Sequence, residues 1–220
     1  MNVKPIKLII GAPLIFDNLS DDQVILIDAN LINKKDLQFF CKKLTLINTI
    51  VWDKKDILKK WNIYSDSRFN GFENNNNNKI NFPNLKLIDT TKITTKTLNQ
   101  ILDSVSNINK KETYIDLYIN QGDPYKILLG SDDWIYNINS VQINIKDNKE
   151  DSLKQAKLYL ENNCFNAEKN LFWKQNYKEA KNKKINFLND KLSSLISLNK
   201  IEQENNKNFV KEKNLYKTKI

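Results

Sequence analysis

Histidine is missing from this 220-residue chain altogether. Its absence excludes Ser-His-Asp and Cys-His catalysis and His-ligated metal sites. A general base, where one is needed, has to be Asp, Glu, Lys, Tyr or a water that they hold. Arginine is almost as scarce, with Arg68 standing alone, so bidentate guanidinium contacts to guanine or phosphate are nearly out of reach. The formal charge of +9 and the pI near 9.3 are therefore a lysine charge. Set among so many asparagines and isoleucines, it reads as the composition of an AT-rich coding sequence rather than a phosphate-reading surface. No sequence-specific nucleic-acid partner is expected.

Cysteine is limited to Cys41 and Cys164, far apart and without a CxxC spacing. That pattern gives no zinc signature and suits a reduced, cytoplasmic chain better than a disulfide framework. No metal site is expected. With only 4 Gly and 4 Pro, a turn-dense sandwich is disfavoured. Long hydrophobic runs are lacking as well. The first candidate, KLIIGAPLIF, is broken by Gly11 and Pro13 and followed by Asp17, so it fails both as a signal peptide and as a membrane span.

What remains is enough to bury one full core, and the chain reads as one α/β domain over residues 1–175 with a basic helical tail over 176–220. Ile6–Ile10 and Val24–Ile27 are short apolar runs that read as buried parallel strands. Leu14 to Asp22 has room for only a brief helix. A second helix is expected behind Asn33, where Leu37, Phe40, Cys41 and Leu44 recur at helical spacing. Leu44–Val51 returns as strand, and Ile57–Tyr64 alternates as one arm of a hairpin would. Ser65–Asn84, with the asparagine run Asn74–Asn78, reads as loop.

Downstream, Leu85–Ile88, Tyr114–Ile119, Val141–Ile145 and Asn170–Lys174 are expected strands. Leu98–Val105 and Asp151–Leu160 are expected helices, and Asp123 ahead of Pro124 reads as an N-cap. From Tyr177 to about Lys213, Ile185, Leu188, Leu192, Leu195 and Ile196 recur at helical spacing with neither Gly nor Pro, which predicts one long helix. Its stripe either docks on the domain, the simpler expectation, or pairs with a second chain. Four tryptophans, Trp52, Trp61, Trp134 and Trp173, read as packing anchors.

The stretches VILIDANLINKKDLQFFCKKLTLINTIVWDKKDILKKW, TTKTLNQIL to SVQINI and ENNCFNAEKNLFWKQN, taken in that order along the chain, resemble the FkbM-type S-adenosylmethionine (SAM) dependent methyltransferases. TTKTLNQIL followed by YIDLYINQGDPYKILLGSDDWI and then SVQINI looks like that family's "T-x-T-L-D" helix start, its "K-I-D-x-x-G-x-E" strand-turn and the "V-L-K-G-A" helix that leads to the fifth strand. VILIDANLINKKDLQFFCKKLTLINTIVWDKKDILKKW is similar to its second and third strand regions, and ENNCFNAEKNLFWKQN resembles its closing helix and edge strand. Together they cover about Ile6 to Gln175, and their order carries more weight than any one of them.

The resemblance implies a Rossmann-like class I methyltransferase fold with a mainly parallel central sheet, and SAM as cofactor. It implies a sugar, glycan or other small hydroxyl compound as methyl acceptor. Gly11 and Ala12 match the "G-A" of the cofactor loop. Asp28 falls where a carboxylate accepts the ribose hydroxyls, and Gln121 and Gly122 border the same crevice. No catalytic residue is assigned by it. The departures are specific: Ile9 stands at an aspartate position, Pro13 at an asparagine, Ile119 and Pro124 at two carboxylates, and Asn99 at a third. They imply that O-methylation is reduced or lost. The alternative is a degenerate, non-catalytic methyltransferase-fold module for binding or assembly.

Overall fold

The computed structural model describes residues 5–11, 23–30, 41, 43–66, 70–72, 84–106, 108–110, 112–145, 150–169 and 171–217. The helices expected within Leu14–Asp22 and behind Asn33, and the Asn74–Asn78 run, lie outside the described residues. The chain divides into two compact units, Met1–Asn176 and Tyr177–Ile220.

The first unit is α/β, with a mostly parallel seven-stranded sheet as its frame. Strands β1 (Ile6–Ile10), β2 (Gln23–Asp28), β3 (Lys43–Asn48), β8 (Ile115–Ile119) and β9 (Ile138–Ile143) are joined in parallel. The order across the sheet is β10-β11-β9-β8-β1-β2-β3, where β10 is Phe165–Lys169 and β11 is Phe172–Gln175. Strand β11 runs antiparallel to both of its neighbours. The arrangement is compatible with a Rossmann-like fold, and the expectation that Val24–Ile27 and Tyr114–Ile119 share one sheet is met.

The unbroken apolar runs of β1 and β2 follow from burial on both sheet faces. Leu8, Ile10, Ile25 and Ile27 belong to the main core, while Ile9, Val24 and Leu26 pack on the opposite face with Cys41 and Leu44. Helices α1 (Leu98–Ser104), α2 (Pro124–Leu129) and α3 (Glu150–Asn162) contribute to the main core through residues such as Leu98, Ile127 and Leu160. Thr97 opens α1 with a capping box closed by Gln100. Asp123 caps α2 by accepting from the Lys126 N–H at 3.1 Å, with Pro124 in the first turn, as the sequence predicts.

Trp134 is anchored in the core by its Nε1 donating to Asp103 at 2.7 Å, beneath the ammonium of Lys110, which also pairs with Asp133. Trp173 is likewise buried, so the packing role expected of these two indoles holds.

A second sheet is the main departure from expectation. Leu44–Val51 is not one strand: it breaks at Thr49, and Ile50–Val51 leaves as β4 to join a four-stranded sheet of order β4-β7-β5-β6. Here β5 is Leu58–Tyr64, β6 is Gly71–Phe72 and β7 is Leu87–Lys96. The hairpin arm expected at Ile57–Tyr64 pairs antiparallel with β7, a partner beginning more than twenty residues later in sequence. The strand expected at Leu85–Ile88 starts instead at Leu87 and runs on to Lys96, taking in Thr94 and Thr95 just ahead of α1. Thr90, Thr91, Thr94 and Thr95 suit a pleated, half-buried surface. Likewise, Phe165–Lys169 is a strand the periodicity did not reveal.

The second unit is one helix, α4 (Tyr177–Lys217), as its unbroken spacing predicts.

Gly130 closes α2 at a point of close backbone approach, since a Cβ there would lie 2.5 Å from the Trp52 carbonyl oxygen. Gly130→Ala is expected to destabilise the first unit by about 1–3 kcal/mol through overpacking, measured as a lowered urea midpoint. The Tyr159 phenol supplies a pH signature. Burial raises its pKa above the ordinary 10.0, helped by Tyr136, Asp132 and Tyr125, while a hydrogen bond with Ser131 pulls the other way. The folded state thus holds its proton where the unfolded chain would release it. Stability is complete below pH 10.0 and falls as pH climbs from there through the raised folded value. Tyr159→Phe should flatten that alkaline loss in denaturation curves.

Candidate functional site at the carboxyl ends of the parallel strands

Succession along the sheet runs one way from β1 to β2 to β3 and the other way from β8 to β9. The reversal lies between β1 and β8, and open α/β sheets hold ligands at that switch point beyond the carboxyl ends of the strands. Of the five residues the sequence nominated, Gly11, Asp28, Gln121 and Gly122 line one small cleft there. Ala12 lies outside the described residues.

The cleft is narrow and its walls are committed to one another. Gly11 ends β1 at φ +81, and its N–H donates to the Ile27 carbonyl at 2.8 Å. A Cβ on Gly11 would sit 2.5 Å from the Gln121 Cβ. The space left by the missing side chain is therefore taken by Gln121, at a residue that the resemblance places in the cofactor loop. Gly122, at φ +99, makes the turn into α2, where a Cβ would meet Ile127 Cδ1 at 3.1 Å.

Asp28 is 2% exposed, which rules out a solvent-facing carboxylate at the strand end. Its Oδ1 accepts the Asn30 N–H at 2.7 Å in a local turn. Its carbonyl takes the Thr49 N–H at 3.2 Å and the Asn48 amide at 3.1 Å.

Residues that periodicity left as packing or loop provide the cover. Trp61, on β5, is 3% exposed and packs with Ala29 and Ile50. Its Nε1 donates to Asn30 Oδ1 at 3.3 Å, and the same oxygen accepts from Asn70 Nδ2 at 2.7 Å. Asn70 in turn accepts the Tyr64 N–H on its side-chain oxygen at 2.7 Å and the Gln121 amide on its carbonyl at 2.8 Å. The second sheet is thereby fastened across the switch point, from β2 on one side to the β8 turn on the other.

A second run of amides closes the strand ends beside it. Asn120 Nδ2 donates to the Gly11 carbonyl at 3.2 Å, Asn144 Nδ2 to Asn120 Oδ1 at 2.9 Å, and Gln142 Nε2 to Asn144 Oδ1 at 3.0 Å.

The space left in the cleft is about 20 Å³, enough for a single water and far below the roughly 300–1,000 Å³ of small-molecule pockets. Asp116, on β8, accepts from Asn139 at 2.7 Å and Ser140 at 2.6 Å, so its carboxylate is held by strand β9. No group of three or more metal-ligating side chains occurs among the described residues.

The fold and cleft define a class: an α/β protein with a mostly parallel central sheet whose switch point is crossed by a second, smaller sheet. Comparison of the chain with protein-family models, curated proteins and solved structures finds no match.

The network makes Asn30 the residue to test. Asn30→Ala removes the oxygen shared by Trp61 and Asn70, and is expected to cost roughly 1–3 kcal/mol for the polar groups that lose their acceptor. The change should appear in the urea midpoint, together with a shift in tryptophan emission as Trp61 loosens. An unaltered midpoint would show that the cover is held by packing alone.

Proposed function

We propose that this chain is a non-catalytic module of methyltransferase ancestry, serving binding or assembly, whose cofactor crevice has been given over to joining its two sheets. The observation that carries the reading is the Asn30-centred cover, with Trp61 lying where an open crevice would be and about 20 Å³ remaining beneath it. Ancestry is supported by where the family-like segments fall. TTKTLNQIL runs from the end of β7 into α1, YIDLYI forms β8, GDPYKILL opens α2, and SVQINI makes up most of β9 and runs on just past its end. ENNCFNAEKNLFWKQN closes α3 and forms the edge hairpin. In these segments the helix start, the strand-turn and the edge strand that the resemblance implies fall on elements of the same type and in the same order.

The described residues do not fit SAM. The space beside Gly11 is filled by Gln121, the Oδ1 of Asp28 accepts the Asn30 N–H, and the cleft is an order of magnitude too small. The second reading, a SAM-dependent O-methyltransferase acting on a glycan or other hydroxyl acceptor, needs Trp61 and Asn70 to leave the crevice. It is favoured only by the nominated residues converging on one switch point.

Isothermal titration of the purified chain with SAM and with S-adenosylhomocysteine separates the two. Affinity weaker than about 100 μM is expected, taking a micromolar intact site and a loss of one to two hydrogen bonds to charged groups. Micromolar binding that falls in Asp28→Ala would restore the methyltransferase reading.

A further inference from the structure

Helix α4 carries a run of exposed aliphatic side chains. Ile185, Leu188, Leu192 and Leu195 are 48%, 49%, 57% and 57% exposed, and Ile196, Leu198 and Ile201 are exposed as well. Ile185, Leu188, Leu192, Leu195 and Ile196 fall on one side of the helix and form an apolar stripe, while Leu198 and Ile201 lie off it. A heptad reading places Ile185 and Leu192 at a and Leu188 and Leu195 at d, with Asn199 at the next a. Ile185 at a with Leu188 at d is the combination that favours two parallel strands, Leu192 at the next a adds apolar contact without β-branching, and a polar Asn at one a position specifies register. Lys181 and Glu202 occupy the d positions on either side, where identical charges would oppose each other in a parallel pair. The seam is therefore bounded, running from Ile185 to Asn199.

We propose that α4 pairs, parallel and in register, with α4 of a second copy of this chain along Ile185–Asn199. The seam is self-complementary: each aliphatic residue meets its own counterpart, and the two Asn199 amides can bond each other. The flanking g positions, Lys184 and Lys191, lie opposite Asn189 and Ile196 at e, so no like-charge pair crosses the apolar part. Two such short stripes hide less than the roughly 1,200–2,000 Å² of a standard interface, so the dimer is weak and concentration-dependent. Because lysines outnumber acidic residues along α4, the two helices repel, and added salt tightens the pair by screening that repulsion. This rests on α4 alone and stands or falls independently of the crevice.

Sedimentation equilibrium of the full chain, from low micromolar to near-millimolar concentration and at low and high salt, is the test. Dimer is expected to grow with both, and Leu192→Lys is expected to abolish it while leaving the low-concentration thermal midpoint unchanged. A wild-type chain that stays monomeric throughout overturns the proposal. So does a Leu192→Lys variant whose midpoint falls where the wild type is monomeric, since the stripe would then cover the chain's own domain. Asn199→Cys tests the register. A parallel pair sets the two cysteines opposite each other and yields a covalent dimer on mild oxidation, above the wild-type background. An antiparallel pair centred on the same leucines would hold them on the order of 20 Å apart, and a dimer without cross-linking would overturn the parallel seam.

Discussion

One side-chain oxygen, Asn30 Oδ1, joins the two sheets of the first unit. It receives the Trp61 indole and the Asn70 amide from the smaller sheet and its connection, while the Asn30 backbone is fixed by Asp28 and by Asn48 from the larger one. The position of this residue immediately past β2 makes the bond possible. Strand carbonyls at the end of a parallel sheet need partners, and polar side chains in the following turn are the nearest supply. Once Asn30 is set, Trp61 has a fixed seat on Ala29 and Ile50, and Asn70 has a fixed reach to Gln121.

The consequence for chemistry is steric and polar at once. An open α/β switch point presents backbone amides and a strand-end carboxylate to a ligand. Here those groups are spent internally: the Gly11 N–H on Ile27, the Gly11 carbonyl on Asn120, and one carboxylate oxygen of Asp28 on Asn30. A ligand entering would have to replace several hydrogen bonds at a buried site, where each unmade bond costs about 1–3 kcal/mol. The asparagine-rich composition, which as a sequence says little, supplies the amides that satisfy this edge without charge.

Much of the larger sheet was legible from local chemistry. β1, β2 and β8 are short apolar runs bounded by polar residues, and burial on both faces is what such runs mean. Asp123 and Pro124 announced α2, and the absence of Gly and Pro announced α4. The convergence of Gly11, Asp28, Gln121 and Gly122 on one cleft was also legible, since strand ends at a topological reversal must meet there. The second sheet was not. β4 and β7 pair across some forty residues of chain, and β5 meets β7 over an intervening segment whose composition reads as loop. Non-local pairing leaves no trace in local periodicity.

The sequence by itself determined the element types, the double-sided burial of the parallel strands, and the exclusion of histidine chemistry, because each depends on residues near one another along the chain. Only the tertiary structure decided what the crevice holds. Trp61 reads as an ordinary anchor and Asn70 as one asparagine among many. Their meaning comes from a sheet that brings them over a strand end about thirty to forty residues away, where one amide oxygen can accept from both.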